Sequence, residues 1–190
     1  MSAVKSTAYE ASYTDTIARA TIGYVIYEYF SRYLELVHMD CLTIDTVIKW
    51  LQNIITRHGI PETVHSDGGK QFMSSKFQQF ARDYGFSHIT SSSKFPQSNG
   101  AAESAVALAK IILIKSQHPN LGLLAYRATP LESEFSPAEL LFDRKLRTTL
   151  PVVQTILQPC WEHGMLQSIR ECDSYLKTRS KLLYDRRHRV

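Results

Sequence analysis

Two carboxylates in this sequence stand where phosphate chemistry could use them. Asp67 follows Thr63-Val64-His65-Ser66, a short stretch predicted as a strand, and precedes Gly68-Gly69. The glycines let the backbone turn sharply, which puts the carboxylate at the carboxyl end of a strand, where ligands bind in open α/β sheets. Glu103 falls in the first turn of a predicted helix from Ala101 to Ile114, closed before Pro119, and the helix dipole there favours its ionised form. Thirty-five residues separate the two acids. Magnesium is held by a few carboxylates together with water and phosphate oxygens, so this pair and a third acid could hold two ions for in-line phosphoryl displacement. Spacing alone leaves a plainer reading open. An Asp before a Gly-Gly turn is ordinarily a turn residue, and a Glu in a first helical turn ordinarily complements the dipole.

The elements that must position these acids can be read from the same chain. Ile22 to Tyr29 is aromatic and β-branched, and Tyr33 to Met39 alternates in polarity, so the two are predicted as a hairpin. Thr43 caps a predicted helix whose apolar residues Val47, Trp50, Leu51, Ile54 and Ile55 recur at helical spacing up to Gly59. After the strand that ends at Asp67 come a helix near Ser75–Tyr84 closed by Gly85, a strand at Phe86–Thr90, and a loop, SSSKFPQSNG, at residues 91–100. Ser136-Pro137-Ala138-Glu139 has capping-box spacing with proline at the first helical position. Pro151 to Pro159 is expected to be a linker, and Met165 to Arg189 a polar, basic helix outside the main domain.

The stretch HGIPETVHSDGGKQFMSSKFQQFARDYGFSHITSSSKFPQSNGAAESAVALAK resembles the integrase catalytic domain of gypsy-type LTR retrotransposons and retroviruses. The shared pattern is HGIP, SDxGxQF, a helix ending in glycine, and PQSNGxxE, with Asp67 and Glu103 at the family's spacing. EYFSRYLEL upstream, YRATPLESEFSPAELLFDRKLRTTLP downstream and LLYDRRHRV near the end are similar to further parts of the family, so the resemblance runs over residues 13–190. It implies an α/β, RNase H-like fold, with a mixed five-stranded sheet flanked by helices and a C-terminal helical extension. The corresponding division is residues 1–12 as an N-terminal tail, 13–150 as the catalytic core, 151–164 as linker and 165–190 as basic extension. The implied activity is DNA integration, by 3′-end processing and strand transfer. Three carboxylates would bind two Mg²⁺ or Mn²⁺ ions as ligands, not nucleophiles, while the protein positions the phosphate. Implied partners are DNA, as element ends and target, and further copies of the chain in a homodimer or higher oligomer. With DNA as substrate, a nuclear location is expected.

The resemblance places the first carboxylate of the set on the opening strand. Counting back from Ser31 lands on Thr14, and with a one-residue adjustment on Asp15, which becomes the third candidate ligand beside Asp67 and Glu103. A one-residue slip in a strand would instead send the group to the other face. Lys70 stands where the family shows Pro, and Glu28 stands where it shows Asp. Lys110, seven residues after Glu103, shares its helical face and could meet a DNA phosphate, though a solvated lysine fits equally well. Gln97, Ser98 and Asn99 could contact the DNA backbone or simply order their turn. The family's preceding His/His/Cys/Cys zinc domain and its small C-terminal domain are not in this sequence, which is therefore expected to be a fragment.

Composition sets the outer bounds. The net charge of +4 is carried by residues 167–190, where 7 basic side chains face 3 acidic ones, while residues 1–166 hold 15 of each. The body thus makes no electrostatic case for DNA by itself, and the tail is a candidate sequence-independent contact. Cys41, Cys160 and Cys172 have no CxxC spacing, against a disulfide framework or thiolate zinc site and in keeping with an intracellular setting. No stretch approaches the roughly 20 apolar residues of a membrane helix. Three functions are weighed: an integrase, a domesticated or decayed integrase-like domain that binds nucleic acid or protein without chemistry, and a ribonuclease H-type nuclease. The last lacks the support of PQSNG before the Glu.

Overall fold

The computed structural model describes residues 3–10, 22–39, 43–90, 100–151, 153, 157 and 165–188. They form two compact units, residues 1–123 and 124–190.

The first unit is built on one mixed sheet. Strands β1 (Ala3–Glu10), β2 (Ile22–Glu28), β3 (Leu34–Met39), β4 (Thr63–Ser66) and β5 (Ser87–Thr90) lie in the order β3-β2-β1-β4-β5. β1, β2 and β3 are antiparallel neighbours, whereas β1, β4 and β5 run parallel. The β2–β3 turn is closed by Glu28, whose carboxylate accepts from the N–H groups of Phe30 at 3.2 Å and Ser31 at 2.5 Å.

Helix α1 (Ile44–His58) starts where Thr43 accepts from the Thr46 N–H and stops at Gly59. Helix α2 (Ser75–Tyr84) is capped by Ser74. It ends at Gly85 in the left-handed region, φ 73°, which glycine adopts without steric cost. Their apolar stripes, Val47, Leu51, Ile54 and Ile55 from α1 and Phe77, Phe80 and Ala81 from α2, share a core with Tyr24, Ile26, Val37, Val64, Phe72 and Phe86. Val25 and Tyr27, also buried, alternate with Tyr24 and Ile26 along β2 and so belong to its other face. Helix α3 (Gly100–Lys115) packs on β1, β2 and β3 and buries Ala102, Ala105, Ala109 and Ile112. Small residues let that helix approach the sheet closely.

In the second unit, α5 (Pro137–Phe142) carries the full capping box. Ser136 donates from N and Oγ to Glu139 at 2.9 and 2.7 Å, which satisfies a carboxylate that is otherwise buried. Helix α6 (Met165–His188) buries Ile169 but exposes Tyr175, Leu182, Leu183 and Tyr184.

Two differences from the sequence reading stand out. Residues 3–10 are not a tail but the middle strand of the sheet. AVKSTAYE lacks a β-branched, alternating pattern, and its pairing on both sides overrides that weak local preference. Second, the division between units falls at Leu123–Leu124, inside helix α4 (Pro119–Ala128), and not at residues 150–151. Proline-rich composition marks a break in local structure, which need not be a border between compact bodies. Proline at the first position of α4 opens that helix where the sequence reading ends one.

Candidate functional site

Asp67 leaves the carboxyl end of β4, the strand that pairs with the central β1. The turn that presents it is braced on three sides. Its own Oδ1 accepts from the Gly69 N–H at 3.1 Å. Behind it, the fully buried Ser66 donates from Oγ to the Asp67 carbonyl at 2.9 Å and shares a second bond of 2.9 Å with His88 Nε2 on β5. A hydroxyl has one proton, so with it directed to the carbonyl, Ser66 accepts from His88 and the imidazole carries its proton on Nε2. Burial, and after it the charge of His65, pushes the His88 pKa down, in keeping with a neutral ring lying against Phe77 at 4.7 Å.

On the third side is Tyr24, buried edge-on against Phe72 with ring centroids 6.0 Å apart. Its hydroxyl accepts from Gln71 Nε2 at 2.8 Å, which ties the residue four positions after Asp67 to β2. Burial raises the phenol's pKa. The Gln71 bond opposes that rise and the nearby Asp67 charge adds to it. Gly69 leaves room for these side chains: a Cβ there would come within 2.6 Å of Gln71 Nε2 and 3.0 Å of Asp67 Oδ1, so they would have to shift. The sequence offers weak signals for this frame. Tyr24 is one aromatic in a strand full of them and nothing in the local pattern singles out His88, whereas Gln71 is the Gln of the SDxGxQF pattern.

The family model of the integrase core domain matches residues 6–96, from within β1 to the loop before α3. An uncharacterised protein of Caenorhabditis elegans is 36% identical over 139 residues, 68% of this chain and 11% of that protein. Residues 6–96 therefore belong to the integrase core domain family. The Gag-Pol polyprotein of walleye dermal sarcoma virus is 29% identical over 66% of this chain and 8% of its own length, so the chain spans about a tenth of these relatives. Among solved structures, the HTLV-2 integrase catalytic core domain in complex with magnesium matches at 18% identity with a TM-score of 0.60, over 73% of this chain and 94% of that one. The catalytic core domain of BIV integrase matches at 20% identity and a TM-score of 0.59, over 72% and 92%. The fold of this integrase core is therefore RNase H-like.

Metal ligands and DNA contacts expected of an integrase core are brought together only in part. Glu103 lies in the first turn of α3 and is exposed, and Lys110 is half-buried further along the same helix. Gln97, Ser98 and Asn99 lie outside the described residues, and so does Asp15. The strand that opens this integrase core is β1, five residues short of Asp15. In the parallel β1–β4 register Ser6 pairs with Ser66, so the next residues along are Thr7 and Asp67. The only acid on β1 is Glu10, paired with Ile22. Among the described residues no group of three or more His, Cys, Asp or Glu side chains could hold a metal ion. Carboxylates bind Mg²⁺ through several anionic oxygens at once, and the described residues do not fit a set of three carboxylates around two ions.

Proposed function

We propose that this chain is the nucleic-acid-engaging core of a retrotransposon- or retrovirus-type integrase. Its partner is DNA, and Asp67 and Glu103 are the acids of its active-site end. The observation that carries this reading is the braced Asp67 turn at the carboxyl end of β4, beside the central strand of an integrase-core fold. Contacts to DNA are assigned to Lys110 and to the loop residues Gln97, Ser98 and Asn99 before α3, with the basic residues of α6 adding a sequence-independent attraction. The HTLV-2 core domain is described in dimeric and trimeric forms, and assembly of this chain into a homodimer or higher oligomer is part of the same proposal. A nuclear site of action follows from DNA as the substrate.

Fluorescence anisotropy with a labelled duplex oligonucleotide tests it. Binding that weakens on Lys110→Ala and falls steeply as salt is raised is the expected result. Failure of the folded protein to bind duplex DNA at low salt overturns the reading.

A second reading makes the chain a working polynucleotidyl transferase. The observation favouring it is Asp15, which lies in the 11–21 connection between β1 and β2 and could supply a third carboxylate to Asp67 and Glu103 for two Mg²⁺ or Mn²⁺ ions. Its activity would be 3′-end processing and strand transfer. Metal-dependent joining of an oligonucleotide duplex into plasmid DNA by the wild-type chain, abolished by Asp67→Asn and by Asp15→Asn, is what it requires.

A further inference from the structure

We infer that Thr7 occupies the position at which the first carboxylate of the set belongs, so that this chain holds DNA without joining it. The inference rests on the integrase-core reading above and deepens it.

Two pairings fix the level of Thr7 independently. On one side, β1 runs parallel to β4 with Ala3, Val4, Lys5 and Ser6 opposite Thr63, Val64, His65 and Ser66, which leaves Thr7 as the β1 residue next in register where Asp67 begins its turn. On the other side, β1 is antiparallel to β2 with Thr7 opposite Val25 and Ala8 opposite Tyr24. Tyr24 is the residue whose hydroxyl reaches Gln71 and feels the Asp67 charge. Both neighbours therefore place residues 7 and 8 at the level of Asp67. The family match begins at residue 6, so this part of β1 lies inside the region recognisable as integrase core.

What stands there is Ser6-Thr7-Ala8. Glu10 is three residues further on, about 10 Å along an extended strand, and Asp15 follows five residues later. A threonine hydroxyl is neutral and offers a cation one weak oxygen, whereas a carboxylate offers a full charge and two oxygens. Losing that charge removes one of the three anionic ligands, while the four hydrogen bonds described around Asp67 join atoms of β2, β4, β5 and the turn itself.

The test compares wild type, Thr7→Asp, Thr7→Asn and Asp15→Asn by Mn²⁺ calorimetry, duplex-DNA anisotropy and strand transfer from a labelled oligonucleotide into plasmid. Thr7→Asp is expected to raise Mn²⁺ affinity at least tenfold and to produce metal-dependent strand transfer. Thr7→Asn, of the same shape without the charge, should do neither, and Asp15→Asn should leave wild-type Mn²⁺ binding as it was. Strand transfer by the wild type, or loss of its Mn²⁺ binding on Asp15→Asn, overturns the inference. So does a folded Thr7→Asp protein that binds DNA but gains no Mn²⁺ affinity. If Thr7→Asp does not fold, the Asp15→Asn comparison still decides. Absence of DNA binding in every protein, by contrast, defeats the integrase-core reading itself.

Discussion

The turn after β4 and the strand beside it differ in what they offer. Around Asp67 the polar groups are engaged with one another. The Gly69 N–H caps the carboxylate, Ser66 ties the carbonyl to His88, and Gln71 reaches across to Tyr24. At the same level of the sheet, β1 offers serine, threonine and alanine. The contrast separates two requirements that an active metal site joins. Positioning is a property of packing and hydrogen bonds, and it persists because the fold depends on it. Charge is a property of single side chains, and a strand can lose it without loss of stability.

The sharpest blow to the braced side is to its apolar floor. Phe72 is fully buried against Tyr24 and Phe77, so Phe72→Ala should cost about 3–5 kcal/mol, read as a lower urea midpoint. A next, smaller effect is expected for Ser66→Ala, which removes the partner of the half-buried Asp67 carbonyl and His88 Nε2–H, at about 1–3 kcal/mol for the two hydrogen bonds. An unchanged urea midpoint would show that the two bonds do not brace the turn. Gly69→Ala pushes on Gln71 and on the carboxylate. The expected loss is about 1 kcal/mol, the worth of one hydrogen bond, together with weaker DNA binding by anisotropy.

The smallest effect is one of pH. His88 is held below its ordinary value of 6.5, mainly by burial. The unfolded chain then binds that proton more readily than the folded one, so the contribution is complete above pH 6.5 and declines as the pH falls below it. Melting curves at about pH 7.5 and about pH 5.5 should converge in His88→Gln, which keeps a donor toward Ser66 but does not titrate over that range. An equal pH slope in both proteins would show that His88 does not set the pH response.

Much of this architecture is legible in the chain because its stop signals are local. Thr43, Gly85 and the Ser136–Glu139 box act through backbone groups three or four residues away, and the structure places each where the pattern puts it. Asp67 is legible for the same reason, as an acid between a strand and two glycines. β1 is not, because it is held by pairing on both sides, with β2 and with the sequence-distant β4, and with it goes the level at which the first ligand has to be sought. The resemblance implies an opening strand that holds Asp15, which lies outside the described residues; β1 runs from Ala3 to Glu10.

The central place of β1 also bears on how the protein can be handled. A chain begun after Glu10 would lose the strand joining the antiparallel and parallel halves of the sheet, baring the backbone donors and acceptors of both β2 and β4. Two open edges facing one gap invite pairing with other chains. A stretch of eight residues would thus set the difference between a closed sheet and one with two edges open to aggregation.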